Sequence, residues 1–362
     1  MKRRLYFILF ALFLAPLRAN AGELPGNASA FLSGKEFLRE EASALPQSAA
    51  LFLGANKSGN EPSGKTSILY KPANPYDFLL VPTQVRKFGN DFFIVDCYHN
   101  QVITSTNLAE PARNWKVIAN GMDGPHAIAW DGELYAIVDT ENNRLLTYKK
   151  VGGGAGFERI QIISHIGSRP HYVEYDSKTG CFMVWSSMTG EMFYYARVPG
   201  TMQLTAVAGW KVPELEGHYV RSFSMDEANI YLPCADAAGI WVVDRETFEV
   251  KEIYTVPLDV AGIVQIQPIN GKCYISVLTD VYFDQSHATL IRAASLEDLR
   301  DGNYEDLKST FCKKGGTLYY FAFFDGAWYS TVPREGKAAG VTRFRVTQEH
   351  KIEDYKEFEY NW

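Results

Sequence analysis

The sequence predicts an all-β fold, a six-bladed β-propeller with four-stranded antiparallel blades, from three observations. Phe92 to Ile103 aligns without gaps on Tyr135 to Leu146, forty-three residues later, and each copy reads as an apolar strand, an Asp-led polar turn and a second strand. A repeat of that length marks a tandem architecture rather than a single wound core. The repeated runs are also rich in aromatic and β-branched residues, which suit a half-buried pleated surface. Third, the ~3.6-residue apolar period that helical repeats would carry is absent.

Taken in chain order, residues 1–21 come first. Lys2, Arg3 and Arg4 precede an apolar run from Leu5 to Leu17 and the small-residue site Ala19-Asn20-Ala21, the layout of a cleavable secretory signal. The run is shorter than the ~20 residues a membrane span needs, and no later stretch approaches that length. A secreted or periplasmic product, with no membrane insertion after cleavage, is therefore expected. Removing the signal takes four basic residues and no acidic one, so the formal charge falls from −6 to −10. Nucleic acid and anionic lipid both need clustered Lys and Arg, so an acidic chain without a basic run excludes them.

Residues 22–75 form a leader rich in Ala, Ser, Gly and Pro, with one strand-like segment, Thr66 to Tyr70. Residues 76–362 are read as the propeller. A third copy of the repeat, Phe182 to Phe193, carries Ser in place of Asp, and a fourth, Ile230 to Val243, is looser. Upstream of the copies lies a further strand ending in a turn: Pro125 to Gly132, Pro170 to Asp176, Val220 to Glu227, Ile263 to Gly271 and Leu318 to Gly326, with Pro82 to Val85 ahead of them. That gives six units with room for four short strands each, the blade of a propeller. Either Ile352 to Glu359 or Thr66 to Tyr70 could close the ring. Gly152-Gly153-Gly154-Ala155-Gly156 lacks a following Lys-Ser/Thr and helix, so it reads as a connection between blades and not a phosphate loop.

The run Val138-Asp139-Thr140-Glu141-Asn142-Asn143-Arg144-Leu145 resembles an NHL-type propeller repeat, a likeness that implies an architecture rather than an activity. The five cysteines are far apart, with no CxxC or Cys/His cluster, and read mainly as small buried apolar residues.

Candidate chemistry follows from the propeller geometry, because the innermost strands start around one channel mouth. Anchoring each unit on its turn makes His126, His171, Arg221, Gln265 and Tyr320 equivalent, with Thr83 or Gln84 in the first blade. Two adjacent histidines suggest a divalent metal, zinc or calcium, on the axis. Pro125-His126 and Pro170-His171 are similar to the inner-strand starts of propellers related to the peptide-amidating lyase, which implies metal-binding histidines there. The next blade departs from that pattern with Arg221 and offers no third His in register. Calcium-dependent lactonase propellers use acidic and amide ligands, and this ring contains no carboxylate. Arg221 suits a carboxylate or phosphate, because its planar fork donates bidentately.

The leading expectation is a monomer that binds a small polar or anionic molecule, a glycan or a peptide end through His126, His171 and Arg221. The alternatives are a metal-dependent lyase or hydrolase using the same ring, and a structural module docking an envelope protein. Asp96 and Asp139 each open a turn and are expected to serve the backbone.

Overall fold

The computed structural model describes residues 68–69, 72–154, 156–311, 313–334 and 337–360. Residues 1–21, expected to be a signal, and most of the expected leader lie outside the described residues. The first strand is β1 (Ile68–Leu69). Six sheets follow. Blade one holds β2 (Pro82–Phe88), β3 (Asp91–Asp96), β4 (Gln101–Ser105) and β5 (Lys116–Ala119). Blade two holds β6 (Pro125–Trp130), β7 (Leu134–Asp139), β8 (Arg144–Val151) and β9 (Gly156–Ser164). Blade three holds β10 (Pro170–Asp176), β11 (Cys181–Ser186), β12 (Glu191–Arg197) and β13 (Leu204–Lys211). Blade four holds β14 (Ser224–Met225), β15 (Asn229–Cys234), β16 (Gly239–Asp244) and β17 (Val250–Thr255). Blade five holds β18 (Gly262–Ile269), β19 (Lys272–Thr279), β20 (Thr289–Ala293) and β21 (Tyr304–Asp306). Blade six holds β22 (Phe321–Phe324), β23 (Ala327–Val332), β24 (Ala339–Val346) and β25 (Ile352–Tyr360). Within each blade every pairing is antiparallel between consecutive strands, as expected for a six-bladed propeller.

The core is a set of wedges between blades. Phe93, Val95, Tyr135 and Ile137 join blades one and two, while Val138, Val173, Trp185 and Leu232 run through blades two, three and four. Val242 and Ile275 join four and five, and Tyr274 and Phe344 join five and six. Each sheet has two faces to bury, and a neighbour on either side supplies that burial with no need for disulfides. Cys97, Cys181 and Cys234 are buried, and none of the four described cysteines is bridged.

Two expectations about connections are corrected. Neither terminal segment closes the ring by exchanging a strand: β25 is the outer strand of its own blade, and β1 adds to β9 on the outer edge of blade two. Side chains close the ring instead. Val85, Ile94 and Trp115 of blade one pack with Tyr329, Val341 and Tyr360 of blade six, and the Tyr360 hydroxyl donates to the Leu108 carbonyl at 2.7 Å. The glycine run is likewise not a connection between blades. It turns β8 into β9 within blade two, and positive φ at Gly152, Gly153 and Gly154 makes that tight turn accessible.

The inner strands of blades one, two, three and five carry register shifts near their starts, between Pro82 and Gln84, Pro125 and Ile128, Pro170 and Tyr172, and Ile263 and Gln265. A bulge re-aims the side chains it contains. Thr83, His126 and His171 sit inside these bulges, whereas Gln84 and Gln265 come just after them.

Candidate functional site

The end of each blade's second strand lies beside the start of its first, and a side chain there ties down the entering loop. Asp96 Oδ1 accepts from Leu80 N–H (3.0 Å) and Val81 N–H (3.3 Å), and Asp139 Oδ1 accepts from Asp123 N–H (2.7 Å). In blade three Ser186 Oγ accepts from Ser168 N–H (2.8 Å). The loop passes so close that a Cβ on Gly167 would lie 2.0 Å from that hydroxyl. In blade four the same task falls to Asp236, which accepts from Tyr219 N–H (3.1 Å). Asp96 and Asp139 thus serve the backbone.

The sequence-selected ring residues do gather, but on two levels, which corrects their assumed equivalence. The bulge residues form the first. Thr83 Oγ1 donates to the His126 carbonyl (2.7 Å), and the His126 and His171 rings lie in contact, centroids 3.8 Å apart and tilted by 38°. His171 Nδ1 lies 2.8 Å from the Arg221 carbonyl and 2.8 Å from the Tyr320 hydroxyl, which itself donates to that carbonyl. The second level holds Gln84, whose Oε1 accepts from Ile128 N–H (2.6 Å), and Gln265, whose Nε2 donates to the Tyr172 hydroxyl (3.1 Å). All seven are buried, so these levels are packed rather than forming an open channel lining. Of the two residues offered for blade one, Thr83 meets the histidines and Gln84 does not, and Gln265 was misplaced because a bulge adds a residue that a gapless count from the turn cannot see.

Arg221 is 1% exposed, and its Nε and Nη1 have no hydrogen-bond partner. Its guanidinium lies 4.8 Å from the centre of the Tyr219 ring, which cushions the charge without satisfying the donors. Arg169, in the left-handed region at φ 57°, pairs with Glu141 (2.7 Å) and also lies over Tyr219 at 5.4 Å. Such a backbone immediately before the Pro170-His171 bulge is a conformation that costs energy outside glycine.

Above this floor a pocket of about 220 Å³ opens between Thr83, His126, Tyr98 and Tyr319 on one side and Lys314, Arg334 and Lys337 on the other. None of the described residues lining it is Asp or Glu. Arg334 is held by Glu357 and Lys314 by Glu359 (2.6 Å), whereas Lys337 donates to the Lys314 carbonyl (3.2 Å) and has no carboxylate partner among the described residues. Sequence reasoning missed Tyr98, Tyr219, Tyr319 and the three cations. Tyr98 could have been found, because the turn after a second strand must lie at the same mouth as the first strand's start.

Burial pushes the His126 imidazole down to about 3. The accepting Gly124 carbonyl, 2.7 Å from Nδ1, opposes that shift, and Arg169 and Arg221 add to it. His171 falls well below its ordinary value through burial, then His126 and the same two arginines. Both rings are therefore neutral at physiological pH, and burial likewise holds the Tyr98 and Tyr319 phenols protonated. A zinc or calcium ion does not fit between His126 and His171. Tyr219 OH donates to His171 Nε2 (2.7 Å) and Nδ1 faces the Arg221 carbonyl, so both His171 nitrogens are engaged, and among the described residues the two rings belong to no group of three metal-competent side chains.

Among the described residues no helix is long and apolar enough to cross a membrane. No protein-family model and no curated protein matches the chain. Solved structures do match. They include a putative 6-phosphogluconolactonase from Bacteroides fragilis (10% identity, 83% of this chain and 96% of that one, TM-score 0.56). Another is a putative 6-phosphogluconolactonase from Bacteroides uniformis (10%, 81% and 88%, 0.53), and a third is a streptogramin B lyase (10%, 81% and 87%, 0.50). At such identity the likeness is one of fold: the chain is a six-bladed β-propeller, and the NHL resemblance has no family match behind it.

Proposed function

We propose that the chain is an exported propeller that binds a small anionic ligand, a carboxylate or phosphate ester, in the pocket over the His126–His171 floor. The observation that carries this reading is a pocket that, among the described residues, is lined by Lys314, Arg334 and Lys337 and by no Asp or Glu, and in which Lys337 lacks an acidic partner among those residues. Behind it stand the unpartnered donors of Arg221, whose charge acts on His126 and Tyr319. A low-dielectric floor bearing net positive charge concentrates an anion. The volume, below the about 300–1,000 Å³ of pockets for drug-sized ligands, limits the ligand to a small metabolite. Export rests on residues 1–21.

A second reading, turnover of such an anion by a lyase or hydrolase, is favoured by His126. It lines the pocket, and its Nδ1 proton is committed to Gly124, which leaves Nε2 as an acceptor. A base depressed to about 3 is weak at neutral pH, so binding is the primary reading.

Thermal unfolding with phosphate, gluconate and glucose tests the proposal. The anions should raise the melting temperature saturably, by about 2.7 kcal/mol of stability at a hundredfold excess over Kd, and glucose should not. Lys337→Gln should weaken the effect roughly tenfold. An equal response to glucose, or an unchanged anion response in Lys337→Gln, would overturn it.

A further inference from the structure

Among the described residues, one group of three metal-competent side chains lies close together, and none of the three lines the mouth pocket. It comprises His218, Cys234 and Asp236, whose ligand atoms lie within 4.8 Å of one another. We propose that these residues bind a zinc-class divalent cation through His218 Nδ1, Cys234 Sγ and Asp236 Oδ2, with the fourth position open to water.

Blade four explains why these residues meet. Its inner strand β14 is two residues long, so the preceding chain lacks the ladder that fixes β10 in blade three. Between β13 and β14 the described chain makes one β-bridge, Val220 with Cys234, beside loop hydrogen bonds such as Gly217 N–H to the Met188 carbonyl (2.9 Å). That bridge sets His218 beside the end of β15, where Cys234 is buried and Asp236 follows in the turn. His218 Nδ1 lies 3.2 Å from Asp236 Oδ2, and the Cys234 thiol donates to Asp236 Oδ1 (3.1 Å).

The donor set suits the ion. Thiolate, imidazole and carboxylate together select a borderline-soft cation over calcium or magnesium, and three protein ligands leave zinc one open position. Tyr219 N–H binds Asp236 Oδ1, which directs Oδ2 towards His218, the outer hydrogen bond that ligating carboxylates need. With bonds of about 2.0–2.3 Å the ligand atoms must approach to about 3.3–3.8 Å, a side-chain adjustment of about 1 Å. His218, 39% exposed, has the freedom to make it and leaves a path to solvent.

Binding releases the thiol proton to solvent, shifts the imidazole to the tautomer protonated on Nε2 so that Nδ1 is free to ligate, and replaces the two carboxylate contacts by three metal bonds. The cation then clips the loop carrying Tyr219 and Arg221 to β15, standing in for the missing ladder. This inference does not depend on the anion reading.

Cobalt(II) titration of the reduced full chain tests it. One equivalent should produce a thiolate-to-cobalt charge-transfer band in the near ultraviolet, displaced by zinc. Cys234→Ser should abolish the band, and His218→Ala should weaken binding at least about 100-fold. Cys97→Ser, His126→Ala and Lys337→Gln should leave the band unchanged. Cys234 is buried and its variant could misfold, so the part-exposed His218→Ala carries the test alone. No saturable band in the wild type, undiminished binding in His218→Ala, or loss of the band in Cys97→Ser would overturn the proposal.

Discussion

Blades three and four place neighbouring side chains on the same axis by opposite means. In blade three, His171 sits in the bulge at the start of a seven-residue strand whose Tyr172 to Asp176 pair with β11, and Trp185, opposite Tyr172, is fully buried. In blade four, Arg221 precedes a two-residue strand, and its position depends on side chains: Asp236 on Tyr219 N–H, Tyr219 OH on His171, and Tyr320 OH on the Arg221 carbonyl. Blade three spends backbone hydrogen bonds and apolar burial on rigidity, while blade four leaves a buried cation with unused donors. A propeller can thus keep its symmetry at the level of sheets and abandon it at one axial position, where a buried guanidinium keeps unpartnered donors.

Trp185→Ala should break this comparison most severely, costing about 3–5 kcal/mol in denaturant unfolding, because it opens a cavity in the wedge that supports blade three. A cost below about 1 kcal/mol would mean that ladder and packing are not what hold His171.

Acid should act next in size. The folded pKa of His126 is depressed to about 3 against about 6.5 in the unfolded chain, so between these values the unfolded state binds the proton and stability falls as pH falls. By pH 4.5 the loss from His126 alone is about 2–3 kcal/mol relative to pH 7. Unfolding free energies measured at pH 7 and pH 4.5 should converge by about that amount in His126→Gln, and an unaltered pH dependence would show that the floor is wetter than its burial implies.

Tyr219→Phe removes the donor to His171 Nε2 and leaves a buried acceptor unpaired, at a cost of about 1–3 kcal/mol. NMR should also detect a shift in the His171 Nε2 resonance, which a purely packing role for Tyr219 would not produce. The smallest effect, and the only one of opposite sign, is expected for Arg221→Met. Relieving a desolvated charge with open donors should raise stability by about 1 kcal/mol while weakening anion binding. A large loss of stability would mean that Arg221 is a structural anchor after all.

Much of this was legible in the chain. The repeat from Phe92 and Tyr135 located β3 and β7, and Pro125-His126 and Pro170-His171 marked the starts of β6 and β10, because strand patterning and turn residues are local properties. The pairing of His126 with His171 at the axis followed from radial equivalence. The rest was not local. Bulges depend on how each inner strand meets its neighbour, and they moved Gln84 and Gln265 off the level of the histidines. Lys314, Arg334 and Lys337 reach the mouth on connections whose path the repeat does not encode. His218 stood three residues ahead of Arg221 as an out-of-register histidine, and its relation to Cys234 and Asp236 required knowing that β14 is short.

The sequence by itself determined the number of sheets, their internal order and which strands face the axis, since these depend on a periodic pattern of apolar and turn residues. The three-dimensional contacts set the closing of the ring by side-chain packing, the meeting of two neutral histidine rings beside a pocket lined by cations, and the gathering of a thiol, an imidazole and a carboxylate in blade four. Those outcomes arise from contacts between residues distant in the chain, whose energies depend on burial and register that no local pattern records.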